Sequence, residues 1–365
     1  MLLAVAEALV GLGGSPRKAE ALDYLLDAQD IARELGDTKL EADIVYERCM
    51  LLHKRHRYKL ACQAAREAQK LFHSVRDDKN EGYSWFSLGV SQISNGRVED
   101  GFVSMRKALS IYRRIGNKKL EATTLQSFAE WYINEREEFA LGVKAALEAE
   151  TIFKELGDQA KAIGARKYAV EGTSRMKDFV KALALAKEGL EMARAVGKPE
   201  EIFRSIQLIA TVHMESRNMT QAHDCADELV QMSTDMEDKR WRAQALQTVA
   251  NICDAEGTYD RGAYDRAEEL GMEVINILQD CPRFEEELFH VIQFLGRVRI
   301  KKDEYEEALE CMILGRKIAQ RAEDTYLEAA AMLGTSGAHY GLDDLEQAKK
   351  AGKLARELFQ EEGCQ

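Results

Sequence analysis

The side chains best equipped for chemistry crowd into one short run, His53-Lys54-Arg55-His56-Arg57-Tyr58-Lys59. A basic cluster of this kind could hold a phosphate or an acidic peptide. The plainer alternative is a solvated turn whose cations sit at the negative end of the preceding helix. His53 and His56 are spaced for one helical face, yet no Cys, Asp or Glu follows at ligand spacing, so no metal centre is expected there. Elsewhere the chain has no phosphate-binding P-loop, no GxSxG, no HExxH and no GxGxxG fingerprint. Acidic residues are plentiful but interleave with Lys and Arg, as Glu306-Glu307-Glu310 do beside Arg316-Lys317, which is the pattern of a solvated helix face. With no nucleophile, base or metal set, the sequence predicts a protein that is not an enzyme and carries no catalytic, cofactor-binding or metal residues.

Composition narrows the partners. The formal net charge of −12 and pI near 5.3 argue against nucleic acid, whose binders present basic faces to phosphates. Protein partners are expected instead, with the oligomeric state left open. Seven cysteines, Cys49, Cys62, Cys225, Cys253, Cys281, Cys311 and Cys364, are scattered without CxxC pairs. Such a set reads as reduced thiols, hence a cytoplasmic or other reducing compartment. No run approaches the length of a membrane span, so no membrane insertion is expected. Residues 1–11, MLLAVAEALVG, lack a preceding basic region and are interrupted by Glu7, so they read as a shortened helix rather than a secretory signal.

The elements that must position any binding surface are helices in a repeat. The tripeptides Leu35-Gly36-Asp37, Val75-Arg76-Asp77, Ile115-Gly116-Asn117, Leu156-Gly157-Asp158, Val196-Gly197-Lys198 and Met236-Glu237-Asp238 have middle residues 40, 40, 41, 40 and 40 positions apart. Ala322-Glu323-Asp324 and Glu362-Gly363 continue the series. A small residue opens the second helix of each unit, at Ala21, Ala61, Gly101, Gly142, Ala182, Ala222, Ala267, Ala308 and Ala348. Small side chains there let paired helices approach closely. The three prolines, Pro16, Pro199 and Pro282, fall at predicted helix starts, where a missing N–H costs nothing. One body, residues 1–365, is therefore expected, with units at about 1–37, 38–77, 78–117, 118–158, 159–198, 199–238, 239–284, 285–324 and 325–365. The register breaks once. Ala267 arrives five residues late because Gly257-Thr258-Tyr259-Asp260-Arg261-Gly262 lengthens a turn. Insertions in repeat proteins are often used for binding, which makes Tyr259 and Arg261 candidates, against the plainer reading of a tolerated insertion.

Within the second full unit, Trp85-x-x-Leu88-Gly89 followed by Gly101, Met105 and Ala108 resembles the tetratricopeptide repeat pattern, with Gln92 where Tyr is usual and a longer period. The forty-residue period and LGD-type turn are more similar to kinesin light chain and G-protein-regulator adaptor arrays, in which the repeats hold an extended peptide. The resemblance implies an all-α, right-handed superhelical α-solenoid of about nine antiparallel hairpins. It also implies that first helices line a groove through repeat positions 2, 5, 9, 12 and 13. On that count the groove residues are Tyr46, Tyr83, Phe86 and Trp131 early in the chain, then Lys167, Arg204, Gln207, Gln247, Asn251, Gln293 and Arg297. The early part is aromatic, and the later part has a glutamine ladder flanked by arginines. The resemblance does not extend to the clamp for acidic chaperone tails, which needs Lys at position 5 with Asn at position 9. Here Lys167 goes with Glu171, and Asn251 with Gln247. The expected function is a protein-interaction scaffold binding a partner segment in the groove. Alternatives are a structural subunit packed through its outer face and ends, or a sensor for a peptide or small ligand.

Overall fold

The computed structural model of the chain describes residues 15–236, 238–279, 284–322 and 324–361. These residues form seventeen α-helices and, among them, no strand. In order they are α1 (Ser15–Glu34), α2 (Thr38–Lys54), α3 (Tyr58–Ser74), α4 (Asp78–Ser94), α5 (Val98–Arg114), α6 (Lys118–Asn134) and α7 (Phe139–Glu155). Next come α8 (Gln159–Arg175), α9 (Phe179–Val196), α10 (Pro199–Glu215), α11 (Met219–Thr234), α12 (Lys239–Glu256) and α13 (Gly262–Leu278). The last are α14 (Glu285–Lys301), α15 (Tyr305–Arg321), α16 (Thr325–Gly341) and α17 (Leu345–Glu361). The fold is an all-α solenoid of helical hairpins of the tetratricopeptide kind. Residues 1–11, Glu237, Pro282, Cys281, Glu323, Gly363 and Cys364 lie outside the described residues.

The turns explain why the helices stop in step. Gly36, Arg76, Gly116, Gly157 and Gly197, middle residues of the repeated tripeptides, all have φ between +58° and +73°. At the first four the amide of the next residue bonds five residues back, as Asp37 N–H does to the Ala32 carbonyl (3.1 Å), capping the spent helix, while at the fifth Gly197 N–H bonds the Ala193 carbonyl. The same Asp opens the next helix. Asp37, Asp77 and Asp158 accept from the amides of Leu40, Asn80 and Lys161. The turns inside hairpins use the left-handed region too, at His56, Glu137, Lys177, Arg217, Asp303 and Asp343, with glycine only at Gly96. A non-glycine residue there costs roughly 1–2 kcal/mol, tolerated because helices on both sides dictate the turn.

Ala21, Ala61, Ala182, Ala222, Ala267 and Ala308 are fully buried, and Gly101 and Gly142 are buried with them. Contact is closest between α4 and α5. A Cβ on Gly101 would come 2.7 Å from the Gly89 carbonyl oxygen, and one on Gly89 would come 2.8 Å from that of Gly101. Gln92, where the repeat pattern has Tyr, is buried and accepts from Ser104 Oγ of α5 (2.6 Å).

Packing divides the chain into two compact units. Among the described residues, the first holds 15–125 together with 322, 324–326 and 357–361; the second holds 126–236, 238–279, 284–321 and 327–356. The core of the first runs through Val45, Cys49, Leu52, Ala65, Phe72 and Leu88. The second has one core around Val170, Phe203, Ile206, Leu229 and Trp241 and another around Leu270, Val274, Phe289, Leu295 and Val298. Cys49, Cys62, Cys225, Cys253 and Cys311 are free thiols, and burial pushes that of Cys49 up to about 12. No helix among the described residues is long and apolar enough to cross a membrane.

Candidate functional site

The first helices of the hairpins start in a common register, so equivalent positions can be read by counting. Phe86 lies eight residues after the start of α4, and Lys167, Gln207 and Gln247 lie eight after the starts of α8, α10 and α12. Glu171, Thr211, Asn251 and Arg297 each lie one further turn along, twelve residues after the start. In the second unit these positions converge on a trough. A cavity of about 480 Å³ is lined by Lys167 and Glu171 of α8, Arg204, Gln207 and Thr211 of α10, and Gln244, Thr248 and Asn251 of α12. A neighbouring cavity of about 280 Å³ shares Lys167, Glu171, Leu208 and Thr211 and reaches back to Glu130 and Asn134 of α6. A third, of about 290 Å³, shares Gln244 and Asn251 and continues to His290 and Arg297 over an apolar floor of Val274, Leu278, Val291 and Phe294. Shared walls make the three cavities one depression across five hairpins, from α6 to α14.

Its polar groups are held in place by one another. Lys167 Nζ meets Glu171 at 3.4 Å, and Gln247 Nε2 donates to Asn251 Oδ1 at 3.0 Å. Gln207 Nε2 donates to Thr248 Oγ1 at 3.0 Å, joining α10 to α12. Gln247 Oε1 is buried and has no hydrogen-bond partner. Arg204 pairs with Glu201 (3.1 Å) and lies over the buried Trp241 ring at 5.6 Å, with Arg240 at 5.4 Å. Burial raises the Glu171 carboxyl above the ordinary carboxylate range against the pull of Lys167. Burial, then the charge of Glu130, likewise pushes up the Tyr168 phenol. The trough therefore offers fixed amides, cations and a reluctant carboxylate around an apolar floor, the means to grip a backbone and its side chains.

Two groove expectations are corrected. Gln293 shares the register of Gln207, yet it is 8% exposed, with Nε2 buried and without a partner. A Cβ on Gly315 of α15 would come within 2.7 Å of that nitrogen, so Gln293 fills space between the helices of its own hairpin. The glutamine ladder thus has two rungs, Gln207 and Gln247. Trp131 stands thirteen residues into α6, one past the lining position, which Glu130 takes. Its half-buried ring lines none of these cavities.

In the first unit the aromatics pack on each other. Tyr46 and Tyr83 stand with ring centroids 6.3 Å apart, and Tyr83 meets the buried Tyr112 edge-on at 6.0 Å. The Tyr46 hydroxyl accepts from Ser87 Oγ (3.3 Å), and Phe86 is half-buried. The basic run is also engaged. His53 Nδ1 lies 3.1 Å from Ser91 Oγ, with burial lowering its pKa; His56 meets the Tyr58 hydroxyl at 2.6 Å and stacks on Tyr326. In the insertion, Tyr259 is 80% exposed beneath the Arg217 guanidinium (5.3 Å), while Arg261 pairs with Asp303 (3.1 Å).

Sequence reasoning missed two things. Glu41, Glu81, Glu121 and Glu328 occupy the fourth residue of α2, α4, α6 and α16, and each grips the end of the preceding helix, through Arg33, His73, Arg113 and Arg316 respectively. The forty-residue recurrence of those acids was the available signal. The second is His223, Cys253 and Glu256, whose ligating atoms all lie within 4.8 Å of one another.

No protein-family model and no curated protein matches the chain. Among solved structures, aspartyl phosphate phosphatase F from Bacillus subtilis superposes with a TM-score of 0.55 at 12% identity, covering 82% of this chain and 75% of that one. A signal-transduction ATPase of the STAND class with a tetratricopeptide repeat sensor, from Pyrococcus horikoshii, gives 0.48 at 15% identity over 99% of this chain. This chain spans about half of that protein, 53% of its length. The nearly identical TPR-like repeats of a kinesin light chain-type protein from Podosopora anserina give 0.44 at 14%, over 55% of this chain and 95% of that one. At these identities the likeness is one of fold.

Proposed function

We propose that the chain is a non-enzymatic scaffold whose second unit holds a segment of a protein partner in the trough across α8, α10, α12 and α14. The observation that carries the reading is the continuity of the depression. The central cavity shares Lys167, Glu171 and Thr211 with one neighbour and Gln244 and Asn251 with the other, so the length of the series suits an extended chain better than a compact small molecule. Asn251 and Gln247, which line the trough, bind the segment's backbone. Arg204 and Arg297 pair with its carboxylates, and the floor at Val291 and Phe294 receives an apolar side chain. The reading takes residues 1–365 as one repeat array, with Tyr259 and Arg261 of the insertion as a secondary contact.

The test begins with partners captured by the intact chain. Their segments are synthesised and titrated calorimetrically against the wild type and Lys167→Ala/Arg204→Ala/Asn251→Ala. Affinity is expected to fall about tenfold or more with helicity unchanged. Equal affinity for both proteins, or hydrogen-exchange protection away from these helices, would overturn the assignment.

A further inference from the structure

His223 projects from α11, while Cys253 and Glu256 stand one turn apart at the end of α12. Residues three apart on a helix share a face, so the thiol and carboxylate point the same way. His223 Nε2 lies 3.1 Å from Glu256 Oε2, and all three ligating atoms lie within 4.8 Å of one another. Tetrahedral zinc, bonded at about 2.0–2.3 Å, sets its ligand atoms roughly 3.3–3.7 Å apart. The nitrogen and oxygen are therefore already near that spacing, and rotamer adjustment can bring in the sulfur. We propose that His223, Cys253 and Glu256 form a zinc(II) site clamping α11 to α12, with a fourth position open to water.

Three features favour a soft divalent ion. The mixed imidazole, thiolate and carboxylate set suits zinc better than magnesium or calcium, which take oxygen ligands. Cys253 and Glu256 lie in the last turn of α12, where the helix dipole favours a cation. The surroundings are graded. Cys253 is buried at 5%, while the His223 and Glu256 side chains are 35% and 28% exposed, giving an entry path beside a sheltered sulfur. Arg266, whose charge reaches Cys253, is turned to Glu269 at 3.0 Å. None of the three ligands lines the trough. The site would instead fix the end of α12, from which the insertion departs at Gly257.

The experiment uses the full chain, stripped with chelator and kept reduced. Zinc is titrated against a competing chelating dye, and cobalt(II) serves as the spectroscopic substitute. One zinc per chain is expected, with a near-ultraviolet thiolate-to-cobalt band that persists in Cys225→Ser and vanishes in Cys253→Ser. His223→Gln, a half-exposed change that spares the core, should weaken zinc binding roughly tenfold or more with unchanged circular dichroism. Zinc should also raise the melting temperature of wild type and not of His223→Gln. Absence of stoichiometric zinc, a band that survives Cys253→Ser, or undiminished affinity in His223→Gln would overturn the site.

Discussion

The equivalent faces of the two units put the same register positions to opposite uses. In the first, Tyr83 packs between Tyr46 and Tyr112, and the Ser87 hydroxyl is taken up by that of Tyr46. In the second, Lys167, Gln207 and Gln247 stand at the position of Phe86 and leave three joined cavities. Large rings spread over neighbouring hairpins and close the gap between them. Long polar chains cannot shed water that way, so they stand up from the surface and leave room. A common backbone register thus sets where a residue points, while its type decides whether the position is structural or open.

That contrast can be broken by mutation. The largest effect is expected in the tight hairpin of the first unit, where Gly101→Val should destabilise by about 3 kcal/mol in urea unfolding, because its Cβ meets Ile93 and the Gly89 carbonyl. Gly164→Ala on α8, whose added Cβ would find only Gln126 Nε2 at 3.7 Å, should be neutral or stabilise by up to about 1 kcal/mol. If both cost alike, the difference in packing is not real. Next, Phe86→Ala should cost about 2 kcal/mol of stability, as partial loss of a half-buried ring, and leave partner affinity unchanged. Arg204→Ala should do the reverse. Its guanidinium is exposed, so unfolding should shift within about 0.5 kcal/mol, while affinity for the partner segment falls several-fold.

The smallest effect concerns pH. Burial alone would raise Glu81 and Glu121. Hydrogen bonds from His73, Gln69 and Trp85 to the first, and from Lys118 and Arg113 to the second, nevertheless hold both below the ordinary carboxylate range. Their contribution is present above the unfolded carboxyl value and is lost as pH falls through the depressed one. Glu171 has the opposite sign. Its raised value means a cost at neutral pH that disappears on protonation. Acid unfolding from roughly pH 5 downward should therefore be shallower in Glu81→Gln/Glu121→Gln and steeper in Glu171→Gln. Identical acid limbs in all three proteins would remove the electrostatic difference between these carboxyls of the two units.

Most of the architecture was legible in the sequence. The forty-residue spacing located the left-handed turn residues from Gly36 to Gly197, and the small-residue series named side chains that prove buried throughout. Pro199 opens α10 as expected. These features are local or strictly periodic, so residue type and spacing are enough to find them. The site was legible in part. Lys167, Arg204, Gln207, Gln247, Asn251 and Arg297 could be counted onto one face because every first helix starts in the same phase. Trp131 failed through a one-residue slip, which on a helix turns a side chain by about 100°.

Tertiary packing decided the rest. Gln293 holds the same register as Gln207 but is sealed, because Gly315 opposite leaves space for its amide. His223 lies thirty residues and more before Cys253 and Glu256 in the chain and meets them only because α11 lies beside α12. Periodicity specifies which face of a helix a residue occupies. What stands against that face depends on the volume and charge of side chains from other hairpins, which no single repeat contains.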